Sequence, residues 1–472
     1  MALSLSGSMS TSKSLFEELF SPNALLDIFL KKFAESPSKG IDRLNGFQFN
    51  RNAADEFQVV SRKCNDGDFK FTPYLENLKN KGRGKAPRLI AIPTVRDRVV
   101  LHQLKVFLSV TFPQAVPKNI ANTYVQIVSK ELATKDPETT YVCSCDIKDF
   151  YGSIDRDRIN LILTKHINHE PALSLLKRAL SSPTVPMNTS RKDYRKHKER
   201  KGVPQGLAIS NILAAIYLMD VDTAMRARGV AYFRYVDDVL IYGQETLVRD
   251  AHKSLTGRLK RRGLTLHPLK SGKGHLERLS MPFGYLGYQF MWPRISVREA
   301  TLERLLQSIA AKFSDYQHNH ARRLERNKYL TEARIAEIFL LELNERITGA
   351  ISENKRYGWV AYFSQINELS LLYKIDDAIA GMFRRLPIFG NTAPENLKKF
   401  SRAYFEIKFN PLGGYVRNYD QINTRIEKLE YLTERGLIAP SDALTDDQID
   451  AKFDAYRKKI LSAMHADEAT FY

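Results

Sequence analysis

Two adjacent carboxylates divide the stretch Phe233-Arg234-Tyr235-Val236-Asp237-Asp238-Val239-Leu240-Ile241-Tyr242 into two halves. Both halves are rich in aromatic and β-branched residues, which favours two strands joined by a tight turn. A hairpin turn is a poor place for two charges unless a cation binds there, and Mg²⁺ prefers carboxylate oxygen. Asp-Asp pairs also occur on ordinary solvated turns, so the pair alone leaves both interpretations open.

The 472-residue chain is strongly basic, with a formal net charge of +19. Its length is sufficient for several domains, and its charge favours a polyanionic partner, with nucleic acid as the first candidate. Cys64, Cys143 and Cys145 are too few for a disulfide framework and lack zinc-site spacing, so we expect core thiols and a reducing, cytoplasmic setting. No apolar run is long enough to span a bilayer, so we expect no membrane partner.

A third carboxylate, Asp146, ends a predicted strand at residues 140–147 and precedes the start of a helix. Taken alone, such a residue is more often a helix N-cap. A βαββ arrangement would, however, bring Asp146 to Asp237 and Asp238 at one edge of a sheet. Three carboxylates around two metal ions about 3.5–4 Å apart are what nucleotidyl transfer from a nucleoside triphosphate needs.

Two basic segments and one glycine-rich loop accompany these carboxylates. Residues 79–85 form a Lys/Gly-rich hairpin tip, and residues 191–201 are the most basic run, with Tyr194 inside it. Either is compatible with phosphate contacts or with an ordinary solvated loop. The loop at 202–211 permits close approach of backbone to a ligand, and its Gln205 offers both a donor and an acceptor.

Apolar periodicity predicts the remaining elements. We expect helices at 15–33, 95–107, 212–225 and 247–262, strands at 69–72 and 264–266, a hairpin at 283–290, a mostly helical region at 302–375, a linker at 387–394 and a mostly helical tail from 395.

These motifs, in this order, resemble those of the reverse transcriptase family over most of residues 40–363. The matching segments are 88–98 (the fingers motif of group II intron-type enzymes), 145–151 (palm motif A), 202–217 (motif B), 235–238 (the Tyr-x-Asp-Asp box of motif C), 263–266 with Lys270 (motif D), 283–288 (primer grip), and Gly349 with 358–363 (helical thumb).

The resemblance implies an α+β right-hand polymerase, with fingers and a ferredoxin-like βαββ palm sheet followed by an α-helical thumb and a helical C-terminal extension. The implied divisions are an N-terminal helical extension at 1–40, fingers at 41–139, a palm at 140–294 with a fingers insertion at 156–205 and the primer grip, a thumb at 295–386 and a C-terminal extension at 387–472.

The resemblance also implies roles for individual residues. Two Mg²⁺ ions, with Mn²⁺ as the alternative, would be held by Asp146, the Ile147 carbonyl, Asp237 and Asp238, with Lys270 as the acid for the leaving pyrophosphate. The incoming deoxynucleotide would meet Lys85, Arg88, Phe150, Gln205 and Tyr151, the last as a steric gate against a ribose 2′-hydroxyl. Nucleic acid would contact Arg191, Lys192, Arg195, Lys196, Lys198, Tyr285, Leu286 and Gly287.

Motif B departs from the family pattern, because Ser210-Asn211 stands where Ser-Pro is usual. We see no Cys/His-rich endonuclease region, and together these features resemble the bacterial defence-associated ("unknown group") branch. That branch implies antiphage defence, a structured non-coding RNA template, dNTP substrates and a cDNA product. Two alternatives stay open: a group II intron-derived maturase or RNA-binding scaffold, and a template-independent or protein-primed DNA polymerase. The oligomeric state is also open, a homo-oligomer included.

Overall fold

The computed structural model describes residues 12–79, 86–199, 201–269, 271, 273–411, 413–439 and 441–468. The chain divides into two compact units, one of Met1–Lys118 with Cys143–Leu276 and one of Asn119–Val142 with Glu277–Tyr472. The five-domain division expected from the sequence is finer than this split and stays a prediction.

The first unit mixes helices with short strands. Its helices are α1 (Ser12–Leu19), α2 (Pro22–Lys32), α3 (Gly46–Phe49), α4 (Ala53–Asn65), α5 (Val95–Thr111), α7 (Phe150–Ser153), α8 (Arg156–Thr164), α9 (Glu170–Ser181), α10 (Ser210–Arg226) and α11 (Glu245–Arg261), and its strands are β1 (Tyr74–Lys79), β2 (Arg88–Ile92), β3 (Tyr141–Asp146), β4 (Thr184–Val185), β5 (Ala231–Tyr235), β6 (Asp238–Gly243) and β7 (Gly274–Arg278). The helix labelled α6 (Ala121–Leu132) lies in the second unit.

Two sheets organise the first unit. One has the order β2-β1-β4, in which β1 pairs antiparallel with β2 and parallel with β4. The other has the order β5-β6-β3-β7, with β5 and β6 as an antiparallel hairpin. Residues 142–145 of β3 are all buried, so this strand is covered on both faces and its sequence is apolar rather than alternating. The strand ends at Asp146, beside the start of β6.

The second unit is mostly helical. Its elements after α6 are β8 (Phe283–Tyr285), β9 (Tyr288–Met291), β10 (Arg294–Val297), α12 (Glu299–Arg326), α13 (Glu332–Thr348), β11 (Ala350–Ser352), β12 (Lys355–Tyr357), α14 (Trp359–Tyr362), α15 (Leu369–Met382), α16 (Phe400–Phe409), β13 (Arg417–Asn418), α17 (Arg425–Glu434) and α18 (Asp446–Glu468). Its sheets have the orders β10-β9-β8 and β12-β11-β13.

Two local predictions near the N-terminus are wrong. The helix expected at 15–33 is two helices, because Ser21 caps α2 by accepting from the Ala24 amide and Pro22 occupies its first turn. The strand expected at 69–72 is irregular backbone that precedes β1. Phe69 and Phe71 pack edge to face there at 5.0 Å, and the Arg96 guanidinium lies over the Phe69 ring. Their apolar alternation therefore reflects an aromatic cluster rather than a sheet.

The region 302–375 contains a β-hairpin, β11–β12, that the sequence did not predict. Two glycines close its base. A Cβ on Gly349 (φ +70°) would lie 2.1 Å from the Tyr357 carbonyl oxygen, and one on Gly358 (φ +111°) would lie 2.7 Å from the Gly349 Cα. Both positions therefore require glycine. The linker expected at 387–394 begins with a 3₁₀ turn at Pro387–Phe389.

The C-terminal region has an apolar core of its own, on which part of β11 also packs. Its buried members are Ala350, Tyr419, Tyr431, Leu432, Ile438, Ile449, Phe453, Tyr456 and Met464. Elsewhere, Cys64, Cys143 and Cys145 are buried and free, as the sequence predicts. Within the described residues, no helix combines the length and hydropathy needed to cross a bilayer.

Candidate active site

The acidic hairpin has the predicted tight turn. Tyr235 pairs with Asp238, so Val236 and Asp237 form the two-residue connection between β5 and β6. Val236 has a φ of +56°, a conformation that β-branched residues seldom adopt. Arg234 stabilises the turn, because its Nη1 donates to the Val236 carbonyl at 2.7 Å. The acidic pair thus occupies a fixed and locally strained hairpin end.

A buried ion pair anchors this hairpin to α10. Arg234 Nε donates to Asp222 Oδ1 at 2.7 Å, and the Tyr232 hydroxyl donates to the same oxygen at 2.8 Å. The Arg234 and Asp222 side chains are only 9% and 8% exposed. Sequence reasoning missed this contact, although an acidic residue on the buried face of an apolar helix was an available signal.

Replacing Arg234 with lysine is expected to destabilise the protein by about 1.5–3 kcal/mol, because an ammonium cannot reproduce the planar fork that reaches Asp222 and Val236 together. Chemical denaturation measures the change. Arg249→Lys is the matched control, since Arg249 is 53% exposed and pairs with Glu245 one turn away on α11. Equal stability of the two variants would contradict the anchoring role.

Asp146 lies beside Asp237 across the sheet. The Ile147 amide donates to the Asp237 carbonyl at 3.1 Å, which brings the end of β3 to the hairpin turn. Burial, and next the charge of Asp146, raises the pKa of Asp237 to about 6. The two carboxylates are therefore close enough for their charges to interact, and they form a partly buried site with excess negative charge.

A lysine not assigned from the sequence contacts this site. Lys273 Nζ lies 2.6 Å from Asp146 Oδ2, and His267 Nε2 lies 3.4 Å from the same oxygen. Burial and the nearby Lys273 lower the pKa of His267, which favours its neutral form. The segment that carries them is joined to β3 by the His267 amide, which donates to the Asp146 carbonyl at 2.9 Å.

The strand predicted at 264–266 is reduced to a single bridge between Leu266 and Ile147. Lys270, the predicted acid, lies outside the described residues. Lys273 lies in the same short sequence segment as Lys270, so the sequence indicated a lysine near this position. The sequence alone does not show which lysine contacts Asp146 at the end of β3.

The donor atoms fit a hard divalent cation, because Asp146 and Asp237 offer carboxylate oxygens at one anionic site that Lys273 alone does not neutralise. Asp238 begins β6 and is half-buried next to them. Within the described ranges, no three His, Cys, Asp or Glu side chains are grouped closely enough to hold one ion. The structure therefore brings together a carboxylate pair, and the complete three-carboxylate ligand set stays a prediction.

Arg88 on β2 faces this anionic site. Its charge lowers the pKa of Asp237, and its buried Nε has no hydrogen-bond partner among the described residues. A buried guanidinium N–H without a partner is costly, so it is available for an anionic ligand. Lys85, the other residue predicted to bind the triphosphate, lies outside the described part of the chain, as does most of the predicted hairpin tip.

The glycine-rich loop packs against β2 beside Arg88. The Ala91 amide donates to the Gln205 carbonyl at 2.7 Å. Gly206 has a φ of +99°, and a Cβ there would lie 2.9 Å from the Ala91 carbonyl oxygen, so this approach requires glycine. Gln205 is thereby held half-exposed next to the strand that carries Arg88.

Tyr151 lies within the electrostatic reach of Asp237 and Arg88. Burial, and next the charge of Asp237, raises the pKa of the Tyr151 hydroxyl. That hydroxyl donates to Asn211 Oδ1 at 2.6 Å. Phe150 is buried in the core, and its ring centroid lies 5.6 Å from that of Tyr151. Tyr151 therefore lies within electrostatic reach of the Asp237 carboxylate, and the buried Phe150 ring packs against the Tyr151 ring.

The residues predicted to contact nucleic acid fall in two environments. Five basic side chains around the 3₁₀ turn Tyr194–His197 are exposed: Arg191, Lys192, Arg195, Lys196 and Lys198. Lys196 is paired with Asp193 at 2.6 Å. In the second unit, the Tyr285 and Leu286 side chains are buried, and Leu286-Gly287 forms the β8–β9 turn. Any nucleic-acid contact at that turn would use its backbone.

A known protein family matches the segment of the chain that contains most of these residues. Residues 78–290 match the model of the family described as "Reverse transcriptase (RNA-dependent DNA polymerase)". The match covers a little under half of the chain and includes Arg88, Asp146, Tyr151, Gln205 and the β5–β6 hairpin.

Two individual proteins are similar to part of this chain. The "Uncharacterized 91 kDa protein in cob intron" of Schizosaccharomyces pombe is 24% identical over 220 residues, which are 44% of this chain and 26% of that protein. A structure of apo telomerase from Candida tropicalis, truncated from its C-terminal domain, has 12% identity and a TM-score of 0.38, and covers 48% of this chain and 55% of that one. The chain thus spans only a part of each relative.

Proposed function

We propose that this protein is an RNA-directed DNA polymerase that makes cDNA by metal-dependent nucleotidyl transfer. The observation that carries the proposal is that the Asp146 carboxylate and the Arg88 guanidinium both act on the charge of Asp237, and that the buried Arg88 Nε has no hydrogen-bond partner among the described residues. All three lie inside the segment that matches the reverse transcriptase family model. A metal-bound triphosphate requires carboxylates that hold its metal ions and a cationic side chain that binds its phosphates. An anionic site with an available guanidinium nearby meets both requirements.

In this proposal the carboxylates of Asp146, Asp237 and Asp238, with the Ile147 carbonyl, would hold two Mg²⁺ ions. When bound, such ions activate the primer 3′-hydroxyl and neutralise charge on the leaving pyrophosphate. Arg88 binds the triphosphate with its free N–H. Lys273 leaves Asp146 for the phosphates and, together with Lys270, is a candidate to protonate the pyrophosphate.

The choice of deoxynucleotides is assigned to Tyr151. The Tyr151 hydroxyl is within electrostatic reach of Asp237, so we assign its ring to meet an added 2′-hydroxyl on a nucleotide bound there. Gln205, fixed against β2, is assigned to the incoming nucleotide or its template base. The exposed basic run around Tyr194–His197 is assigned to phosphates of the nucleic acid.

Incorporation of labelled nucleotide into a DNA primer annealed to RNA tests this function. We expect incorporation of dNTPs in Mg²⁺, loss of incorporation with a chelator, and much weaker use of rNTPs. Incorporation that persists in excess chelator would contradict a metal-dependent site.

We further propose that the template is a structured non-coding RNA and that the protein acts in antiphage defence. The support is the motif B departure at Ser210-Asn211 and the basic charge of the chain. Sequencing of RNA and DNA that copurify with the protein tests the template. A single structured RNA with matching cDNA is expected, and a heterogeneous RNA population would contradict it.

A second candidate function is an RNA-binding maturase or scaffold in which DNA synthesis is incidental. It is favoured by the match to a protein named for an intron and by exposed Arg322, Arg326 and Lys328 at the end of α12. Under this alternative, an Asp146→Asn protein keeps the biological phenotype. Loss of the phenotype with RNA binding intact would favour the polymerase.

A further inference from the structure

Asn211 stands in the first turn of α10, at the position where the motif B pattern departs from Ser-Pro. Its Oδ1 accepts the Tyr151 hydroxyl at 2.6 Å, across a sequence separation of 60 residues. A proline at this position would have no side-chain acceptor. The departure from the pattern therefore coincides with a direct contact to the ring assigned to nucleotide selection.

Tyr151 is held at its backbone as well as at its tip. The Val203 amide donates to the Tyr151 carbonyl at 2.8 Å, and the Gly202 amide donates to the Ile154 carbonyl at 2.8 Å. The glycine-rich loop thus fastens both ends of the short helix that carries Tyr151. With its main chain fixed, the remaining freedom of Tyr151 is rotation of its side chain.

Asn211 is itself well positioned to restrict that rotation. The preceding Ser210 is buried, and its Oγ donates to the Pro204 carbonyl at 2.6 Å, which locks the start of α10 to the same loop. A side chain with two rotatable bonds on a fixed helix start presents its amide oxygen at a defined place. The Tyr151 hydroxyl therefore has a side-chain acceptor on this fixed helix start, and the hydrogen bond lies at the protein surface, where Asn211 is exposed.

We propose that Asn211 is a specificity-determining residue that holds the Tyr151 ring in the orientation that excludes ribonucleotides. It acts through Tyr151 and is a positioning residue. The inference rests on the proposed polymerase function. It predicts that breaking the hydrogen bond from either side lets the ring rotate away and admits a 2′-hydroxyl, and that loss of the Asn211 side chain leaves deoxynucleotide binding as before.

Steady-state incorporation of one dNTP and of its matching rNTP, opposite one RNA template base, tests the proposal. We expect Asn211→Ala and Tyr151→Phe each to lower the rNTP KM about fivefold, the effect of one hydrogen bond of about 1 kcal/mol. The dNTP kcat and KM of Asn211→Ala are expected to stay within twofold. The double variant is expected to equal either single variant, because both remove the same contact.

Two further variants separate the possible outcomes. Thr223→Ala, at an exposed position on the same helix, controls for general effects on α10, and Tyr151→Ala shows whether the ring selects the sugar at all. If Tyr151→Ala admits rNTPs but Asn211→Ala does not, or if the two single effects multiply in the double variant, the role of Asn211 is refuted and the polymerase stands. If wild-type protein incorporates no dNTP, or Tyr151→Ala leaves selection unchanged, the proposed sugar selection fails and this inference fails with it.

Discussion

Replacing Asp146 with asparagine is expected to slow DNA synthesis at least about 10³-fold while the protein remains folded, because stabilisation of developing charge is usually the largest catalytic contribution. Asparagine keeps the size of the side chain but removes the charge that faces Lys273 and would hold a cation. Single-turnover primer extension on RNA measures the rate, and thermal unfolding reports whether the fold persists.

Asp157→Asn is the matched control for this result. Asp157 lies in the first turn of α8, is exposed and is a short distance along the chain from Asp146. Its replacement is expected to leave the rate within about twofold, because Asp157 is exposed. Substitutions at exposed positions usually change the free energy of unfolding by no more than ~0.5 kcal/mol. An Asp146→Asn protein that extends primers at the control rate would refute the assignment of Asp146 to the metals.

Replacing Glu345 with alanine is expected to destabilise the second unit by about 3–5 kcal/mol, because the buried Arg435 guanidinium loses its buried counter-ion and keeps the exposed Glu434 carboxylate, 3.8 Å from its Nη1. Arg435 Nη2 lies 2.9 Å from Glu345 Oε2, and the two side chains are 1% and 3% exposed. The Tyr419 hydroxyl also donates to Glu345, and the Arg435 guanidinium lies 3.8 Å from the centre of the Tyr431 ring. This pair therefore joins α13 to the C-terminal core.

Chemical denaturation and hydrogen exchange over residues 419–464 measure the effect of Glu345→Ala. The control is Glu337→Ala on the same helix, since Glu337 is 61% exposed and pairs with the nearby Arg334. The double variant Glu345→Ala/Arg435→Met is expected to recover part of the loss, because it removes the stranded charge. A Glu345→Ala protein as stable as the Glu337→Ala control would show that the pair does not anchor the C-terminal region.

Local patterns predicted the parts of the site that depend on a few neighbouring residues. The β5–β6 hairpin follows from β-branched and aromatic residues on both sides of two carboxylates, and the position of Asp146 follows from an apolar strand that ends in an acid. Helices α5, α10 and α11 were predicted in the same way. In each case the signal and the structure involve the same short segment.

The remaining features depend on contacts between distant segments, which no local pattern encodes. Lys273 reaches Asp146 over 127 residues, and Tyr151 reaches Asn211 over 60. The helical prediction for 302–375 failed at β11–β12 because β11 pairs with β13, a partner more than 60 residues later. Likewise, the Phe69 ring packs under the Arg96 guanidinium of α5 instead of in a sheet. These outcomes follow from tertiary packing, which overrides local propensity.

The most direct test of the central claim is the sequence of the product made by the purified protein on two primed RNAs of unrelated sequence. With dNTPs and Mg²⁺, we expect the wild-type protein to make DNA that is complementary to whichever RNA is supplied. We expect no DNA from the Asp146→Asn protein. A product whose sequence is the same on both templates, or no DNA product at all, would contradict it.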